Sequence, residues 1–362
     1  MDASNDDGMA AVAAATAIAA AAEKAAGAPV TLRFLLYGHA GWIGGQLAAL
    51  IAAQGDVCVA AEARADNIAA VRDELRRVRP DRVLCCIGRT HGPGNPTIDW
   101  LEADPTDAEA TRARLRRNVA DNLYAPVVLA LLCRERGMHL TYVGTGCCYS
   151  SDAEHPIGAG RGFREDETPN FHGSSYSIVK GYTDRLMALL GNNGGGVAYG
   201  PSDGGACGGA GVLCARIRMP IVGDGSPRDF VQKLLGYAAT GRICSIPNSM
   251  SVLPTLLPAL LSMARRRVSG AVNLCNPGVI DHDTLLAMYR DLVDPALRWR
   301  NFSLEEQALV LKAGRSNNEM CPRRLLALCP DVPPVHEAVR GVLLAMRARR
   351  DPPETSPAQP RS

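Results

Sequence analysis

The stretch Leu32-Arg-Phe-Leu-Leu-Tyr37 runs directly into Gly38-His-Ala-Gly41-Trp-Ile-Gly44-Gly45. This junction constrains the fold more than any other feature of the chain. A short apolar run ends in glycine, and an apolar helical pattern follows from Trp42 to Gln54. Glycines at this spacing permit a tight turn and let a pyrophosphate approach the helix N-terminus. There, free N–H groups and the helix dipole favour anions. The predicted cofactor contacts are Gly38, Gly41, Trp42, Ile43 and Gly44, with Gly88 at the end of the third strand.

The alternation continues downstream. Asp56-Val-Cys-Val-Ala reads as a second strand, Asn67 to Val78 as an amphipathic helix, and Arg82-Val-Leu-Cys-Cys-Ile as a third strand. Arg112 to Arg136 reads as one long helix, followed by a strand at Leu140-Thr-Tyr-Val. This order predicts an α/β fold: a Rossmann-type, doubly wound parallel sheet with ligands at the carboxyl ends of its strands. Residues 29–215 are the expected NAD(P)-binding domain, including a Gly-rich loop at 192–211. Val212 to Pro220 reads as one more strand. The rest of 216–349 reads as shorter helices and turns, a smaller and mainly substrate-binding C-terminal domain. The Ala-rich residues 1–28 and the Pro-rich residues 350–362 read as disordered tails.

Composition excludes several classes. A net charge of +2 offers no electrostatic case for nucleic acid or an anionic membrane as partner. The Ala-rich N-terminus has neither the basic flank of a signal peptide nor the length of a membrane span. The 12 cysteines show no metal spacing, so no metal is expected and the compartment is read as reducing and cytoplasmic.

Ser174-Ser-Tyr176-Ser-Ile-Val-Lys180 opens a helical stretch to Leu190. Tyr176 and Lys180, four apart, share one helix face. A phenol, ordinarily of pKa about 10, becomes a usable proton carrier beside an ammonium and a cationic nicotinamide. Thr145, at the end of the Leu140 strand, is the expected hydroxyl on a substrate carbonyl. Asn118 is the expected support for the lysine through water. No acidic residue closes the second strand, while Arg64 stands where a 2′-phosphate would lie. NADPH is therefore the expected cofactor, with NADH as the alternative.

These residues resemble the extended short-chain dehydrogenase/reductases. The resemblance is sharpened by TGC at 145–147, HPIGAGRGFREDETPNF at 155–171, RMP at 218–220, PRDF at 227–230, IPNSM at 246–250, NPGVIDH at 276–282, NFSLEEQA at 301–308 and RSNNEM at 315–320. In order, they are similar to the plant-type nucleotide-rhamnose synthases, which are bifunctional UDP-4-keto-6-deoxy-glucose 3,5-epimerase/4-reductases. The resemblance implies that Cys147 and Lys233 are the acid-base pair for the two inversions. It implies a nucleotide-sugar substrate made by a separate 4,6-dehydratase, and it leaves a homodimer open. Arg218, Arg228 and Arg315 are candidate diphosphate contacts, and Asn248, Asn317 and Asn318 are candidate polar contacts. Cys148 is expected to be a small core residue. Three departures stand out: the Gly-rich loop at 192–211, which reads as an insertion relative to the family; Cys85-Cys86-Ile-Gly88 where the family carries Asn-Ala-Ala-Gly; and a longer segment Arg89 to Pro96. A reductase without epimerase activity and a non-catalytic dinucleotide-binding subunit remain as alternatives.

Overall fold

Strand β1 (Arg33–Tyr37) is apolar on both faces, and the computed structural model, which describes residues 30–191 and 211–350, buries it on both. Phe34 and Leu36 pack against α1 (Trp42–Ala53) on one side. Leu35 and Tyr37 pack against α2 (Ile68–Val78) on the other. A continuous apolar run suits a parallel strand covered by helices on both faces. Strands β2 (Val57–Ala60), β3 (Arg82–Cys85), β4 (His139–Thr145), β5 (Val212–Ile217) and β8 (Gly270–Asn273) complete a six-stranded parallel sheet of order β2-β1-β3-β4-β5-β8. The chain leaves β1 for β2, then crosses back over β1 to β3. The strand order therefore reverses between β1 and β3, and such a switch point opens a crevice at the carboxyl ends of the strands.

The expected single helix over 112–136 is interrupted. α3 (Ala108–Val119) passes through a π-turn at Ala120–Tyr124 into α4 (Ala125–Glu135). The cause is Pro126, which has no N–H to offer the carbonyl of Asn122. The Thr183 hydroxyl takes that place, donating to the Asn122 carbonyl at 2.6 Å.

Helix α5 (Ser175–Gly191) carries the Tyr/Lys pair and buries Tyr176, Lys180, Thr183, Asp184 and Met187. It is locked to β5 by Arg216, which is fully buried and donates to both carboxylate oxygens of Asp184 at 2.8 and 2.7 Å. Removing one partner from such a buried pair costs about 3–5 kcal/mol, so the helix has little freedom to slide.

The region expected as a contiguous smaller domain is not contiguous. After β5, a two-stranded ladder of β6 (Pro220–Ile221) and β7 (Ser251–Val252) forms with α6 (Phe230–Ala239). The chain then returns to the main sheet through α7 (Leu253–Arg265) and β8, which pairs with β5. It leaves again as α8 (His282–Leu292) and α9 (Leu304–Val310), packs α10 (Arg323–Leu328) back against β8, and ends in α11 (Val335–Arg350) in the second lobe. The second lobe's core joins Ile221, Val231, Leu234, Leu285, Leu286 and Val339. The Gly-rich loop expected at 192–211 lies outside the described residues except for Gly211, as do both expected tails except for Arg350. Among the described residues no helix is long and apolar enough to cross a membrane, and no side-chain cluster could hold a metal.

Candidate active site

The Gly-rich turn sits at the switch point. Gly38 has φ +81°, and a Cβ there would stand 3.0 Å from the Cys86 carbonyl carbon. A Cβ on Gly44 would fall 2.1 Å from the Gly38 oxygen, so α1 starts pressed against the turn. Gly41 is the N-cap and offers no capping side chain, which leaves the helix's first N–H groups open to an anion. A cleft of about 200 Å³ adjoins the turn, lined by Tyr37, Gly38, His39, Arg64, Asp66 and Asp121 among others. The cleft beside an open helix N-terminus suits one part of a dinucleotide, with its phosphates at the helix end.

Arg64 lies at this cleft, largely exposed and paired with Asp66 at 2.8 Å. The carboxylate of Glu62 is turned outward to Arg77, at 2.8 Å. Glu74, from α2, caps the end of β2 by accepting from the Glu62 N–H at 2.6 Å, the Ala63 N–H at 3.2 Å and the Tyr37 hydroxyl at 2.6 Å. Ile43 packs into the apolar core instead of facing the cleft. The Trp42 indole donates to Asp224 at 2.7 Å, tying the start of α1 to the second lobe.

Gly88 is held by Asn122, a residue the sequence reading missed. Asn122 accepts from the Arg89 N–H at 2.8 Å and donates to the Arg89 carbonyl at 2.9 Å. It also donates to Asn118 at 2.8 Å. Asn118 in turn reaches Ser175 at 3.3 Å, at the start of α5, and makes no direct contact with Lys180. The signal was two asparagines four apart inside a helical pattern, where they are poor helix formers.

Tyr176 and Lys180 are both buried. Burial, and next the nearby Cys147, push the Tyr176 phenol well above its ordinary range, while its hydrogen bond with Thr145 opposes this. The phenol is thus held protonated, and Lys180, expected to ease its ionisation, is not among the groups that lower it here. Burial pulls the Lys180 ammonium down. Its Nζ donates to the Tyr142 hydroxyl and lies 4.6 Å from the Tyr142 ring centre. Tyr142, on β4, is a second partner that sequence reading missed.

The loop after β4 separates its two cysteines. Cys148 is fully buried among Tyr149, Phe163, Cys275 and Met320, as expected of a core residue. Cys147 is half-buried; its N–H donates to the Thr145 hydroxyl at 3.1 Å, and its carbonyl accepts from Ser177 at 2.8 Å. Lys233, on α6, is also half-buried. Burial and then Arg228 lower its proton affinity, and Cys147 is close enough to act in the opposite sense. Thr145, Tyr176 and Cys147 are thus neighbours at the end of β4, and Lys233 of α6 lies within electrostatic reach of Cys147.

The three candidate arginines separate. Arg218 is fully buried and donates to the Gly146 carbonyl at 3.0 Å, Ser316 Oγ at 2.8 Å, Asn248 Oδ1 at 2.6 Å and the Ser316 carbonyl at 2.9 Å. Expected as a diphosphate contact, it is instead spent on protein acceptors. Asn248 and Asn318 are buried in the same network, with Asn318 donating to the Gly146 and Tyr149 carbonyls at 3.0 and 2.6 Å. Asn317 accepts from Asn248 at 3.0 Å. These asparagines brace the cysteine loop. Arg315 pairs with Asp99 at 2.5 Å. Arg228 lies half-buried near Lys233, with its guanidinium against His91.

Replacing Arg218 with Met keeps most of the volume and strips four hydrogen bonds from buried acceptors. The Ser316 carbonyl is left bare, at about 1–3 kcal/mol, while the other three acceptors keep a second partner, so R218M should lose about 2 kcal/mol of stability in urea unfolding. An unchanged midpoint would show that the guanidinium does not hold the loop.

No protein-family profile matches the chain. It is 42% identical over 316 residues to protein L780 of Acanthamoeba polyphaga mimivirus, covering 87% of this chain and 99% of that protein. The crystal structure of that protein, described as a UDP-rhamnose synthase, superposes with a TM-score of 0.77. The chain is 37% identical over 310 residues to the Arabidopsis thaliana bifunctional dTDP-4-dehydrorhamnose 3,5-epimerase/reductase, covering 85% of this chain and 91% of that protein. A dTDP-4-dehydrorhamnose reductase from Bacillus anthracis, 13% identical with a TM-score of 0.66 over 87% of this chain and 100% of its own, shares the fold. The chain belongs to the nucleotide-rhamnose synthase family of 3,5-epimerase/4-reductases, within the extended short-chain dehydrogenase/reductases.

Proposed function

We propose that the protein converts UDP-4-keto-6-deoxy-D-glucose to UDP-L-rhamnose, inverting C3 and C5 and then reducing the C4 ketone with NADPH. The observation that carries this reading is a thiol, a phenol and a threonine hydroxyl gathered at the end of β4, with the Lys233 amine of the other lobe within electrostatic reach of the thiol. Reduction alone has no need of Cys147 and Lys233, so the reductase-only reading leaves two members of the cluster without a role.

Each inversion removes a proton beside the ketone and returns one to the opposite face, which requires two proton carriers on opposite sides of the ring. Cys147 and Lys233, arriving from different lobes, supply them. Burial lowers the proton affinity of the Lys233 amine, which eases its release of a proton. Thr145 and Tyr176 hydrogen-bond the C4 oxygen as negative charge grows on it. In the final step Tyr176 gives its proton to that oxygen, and Lys180 balances the phenolate left behind. NADPH, when bound at the Gly-rich turn, supplies the hydride to C4. Arg64 beside the cleft and the outward-turned Glu62 support NADPH over NADH. The 4-keto-6-deoxy substrate has to come from a 4,6-dehydratase.

The outer face of α5 carries Ile178, Tyr182, Leu186 and Leu189, with Tyr182 62% exposed and Leu189 55%. Their spacing forms one apolar stripe, and Leu131 of neighbouring α4 adds to it. A second copy of the chain covers this stripe in the reading offered here. Sedimentation equilibrium should then return a dimer mass, and Tyr182→Glu should return the monomer; a wild-type monomer at micromolar concentration would exclude it.

Product identification by NMR tests the main reading. Wild type with the keto-sugar and NADPH should yield UDP-L-rhamnose. Tyr176→Phe should lower reduction by at least about 100-fold, the lower range for acid-base groups, while still admitting solvent deuterium at C3 and C5. Reduction at the wild-type rate in Y176F would remove the phenol from the mechanism.

A further inference from the structure

Segment 89–96, longer than the resemblance implies, faces the site. A bridge between Gly92 and Asn95 folds it back on itself. Gly92 lies flat on Trp100, where a Cβ would stand 2.0 Å from the indole. With this backing, His91 reaches the second lobe: Arg228 Nη1 lies 2.7 Å from His91 Nδ1. A guanidinium only donates, so Nδ1 is the bare acceptor and the imidazole is neutral, with its proton on Nε2.

The charged groups facing His91 are Arg228, Arg89 and Lys233, all cationic. Burial, and then these cations in that order, hold its pKa below the usual histidine range. Arg89 is neutralised by Asp121. Among the described residues, Arg228 and Lys233 have no carboxylate ion-pair partner, and the Arg228 guanidinium has His91 as its one hydrogen-bond partner. The carboxylate nearest Lys233, Asp229, is committed to the N–H groups of Val222, Gly223 and Val231, so two half-buried cations without a salt-bridge partner form a receptor for an anion.

We propose that neutral His91 is a positioning residue that aims the Arg228 guanidinium at a ligand diphosphate. The proposal rests on the reading of the site given above and adds a residue to it. Two ligands of that reading carry a diphosphate, the nucleotide-sugar and the dinucleotide. The same contact serves either, and binding measurements separate them. The hydrogen bond has a defined sign with pH. Protonated His91 cannot accept from Arg228 and repels it, so the contact holds above the pKa of His91 and fails below it.

The test is calorimetric titration of wild type, His91→Ala and His91→Asn with UDP and, separately, NADP+, from pH 5 to 8. At pH 7.5, H91A should weaken one of the two ligands about tenfold, as expected for losing a hydrogen bond to a charged group, and leave the other and the unfolding midpoint unchanged. Weakened UDP marks the nucleotide-sugar as the source of the diphosphate; weakened NADP+ marks the dinucleotide. H91N, whose Oδ1 stands where Nδ1 stood, should recover most of the affinity. Wild type should lose affinity for that ligand more steeply than H91N as the pH falls, since the ligand's own phosphate titrates equally with both. The proposal is overturned if H91A binds both ligands within twofold of wild type, or if both weaken together with a lower unfolding midpoint. It is also overturned if H91N loses affinity on the acid side as steeply as wild type, or if wild type binds neither ligand. Wild type that binds both ligands but converts no keto-sugar would sink the bifunctional reading, while the His91 comparison would still stand or fall by itself.

Discussion

A buried guanidinium without a carboxylate partner holds the site together. Arg218 sits just beyond β5 and reaches the loop after β4, residue 248 and residue 316 at once. An isolated ion in the interior is costly, and four neutral acceptors offset that cost only where their geometry is fixed. Gly146 is part of the same constraint: a Cβ there would meet the Arg218 side chain at 3.0 Å and the Met320 sulfur at 3.1 Å. The loop is therefore pulled tight between two lobes. Cys148 is drawn into the core, and Cys147 is left half-buried. The placement of the Cys147 thiol thus depends on an arginine committed to protein acceptors.

Proton handling follows from burial in the same way. Tyr176 stays protonated because its surroundings cannot solvate a phenolate, and Thr145 aligns it. Lys180 is donated to Tyr142 behind it. A hydride acceptor in the pocket, which gains negative charge during reduction, is met by a neutral acid backed by a cation. The interlobe bond from Trp42 to Asp224 connects this chemistry to the Gly-rich turn, because Asp224 lies on the loop that leads to Arg228 and Lys233.

Local signals were legible before the structure. The strand, glycine turn and helix at 32–54 follow from residues adjacent in the chain, as do Tyr176 and Lys180 on one helix face. Cys147 and Lys233 came from resemblance alone, since nothing near them in the chain links them. Features set by distant contacts were not legible. Strand β8 is four residues long and earns its place only by pairing with β5. The π-turn at 120–124 depends on Pro126 and on a hydroxyl from α5. Arg218, Arg228 and Arg315 look alike in the sequence. Only packing assigns the first to the scaffold, the second to the cleft and the third to Asp99. The missing asparagine after β3 is made good by Asn122 from another element, which no reading of the strand end could anticipate.

The most direct measurement is a crystal structure of the protein with NADP+ and UDP-L-rhamnose bound together. The account predicts the Cys147 sulfur and the Lys233 nitrogen on opposite faces of the sugar ring, each within about 4 Å of C3 or C5, with the Tyr176 hydroxyl within hydrogen-bond reach of O4. Thiol and amine on the same face, or either one outside the closed cleft, would contradict it.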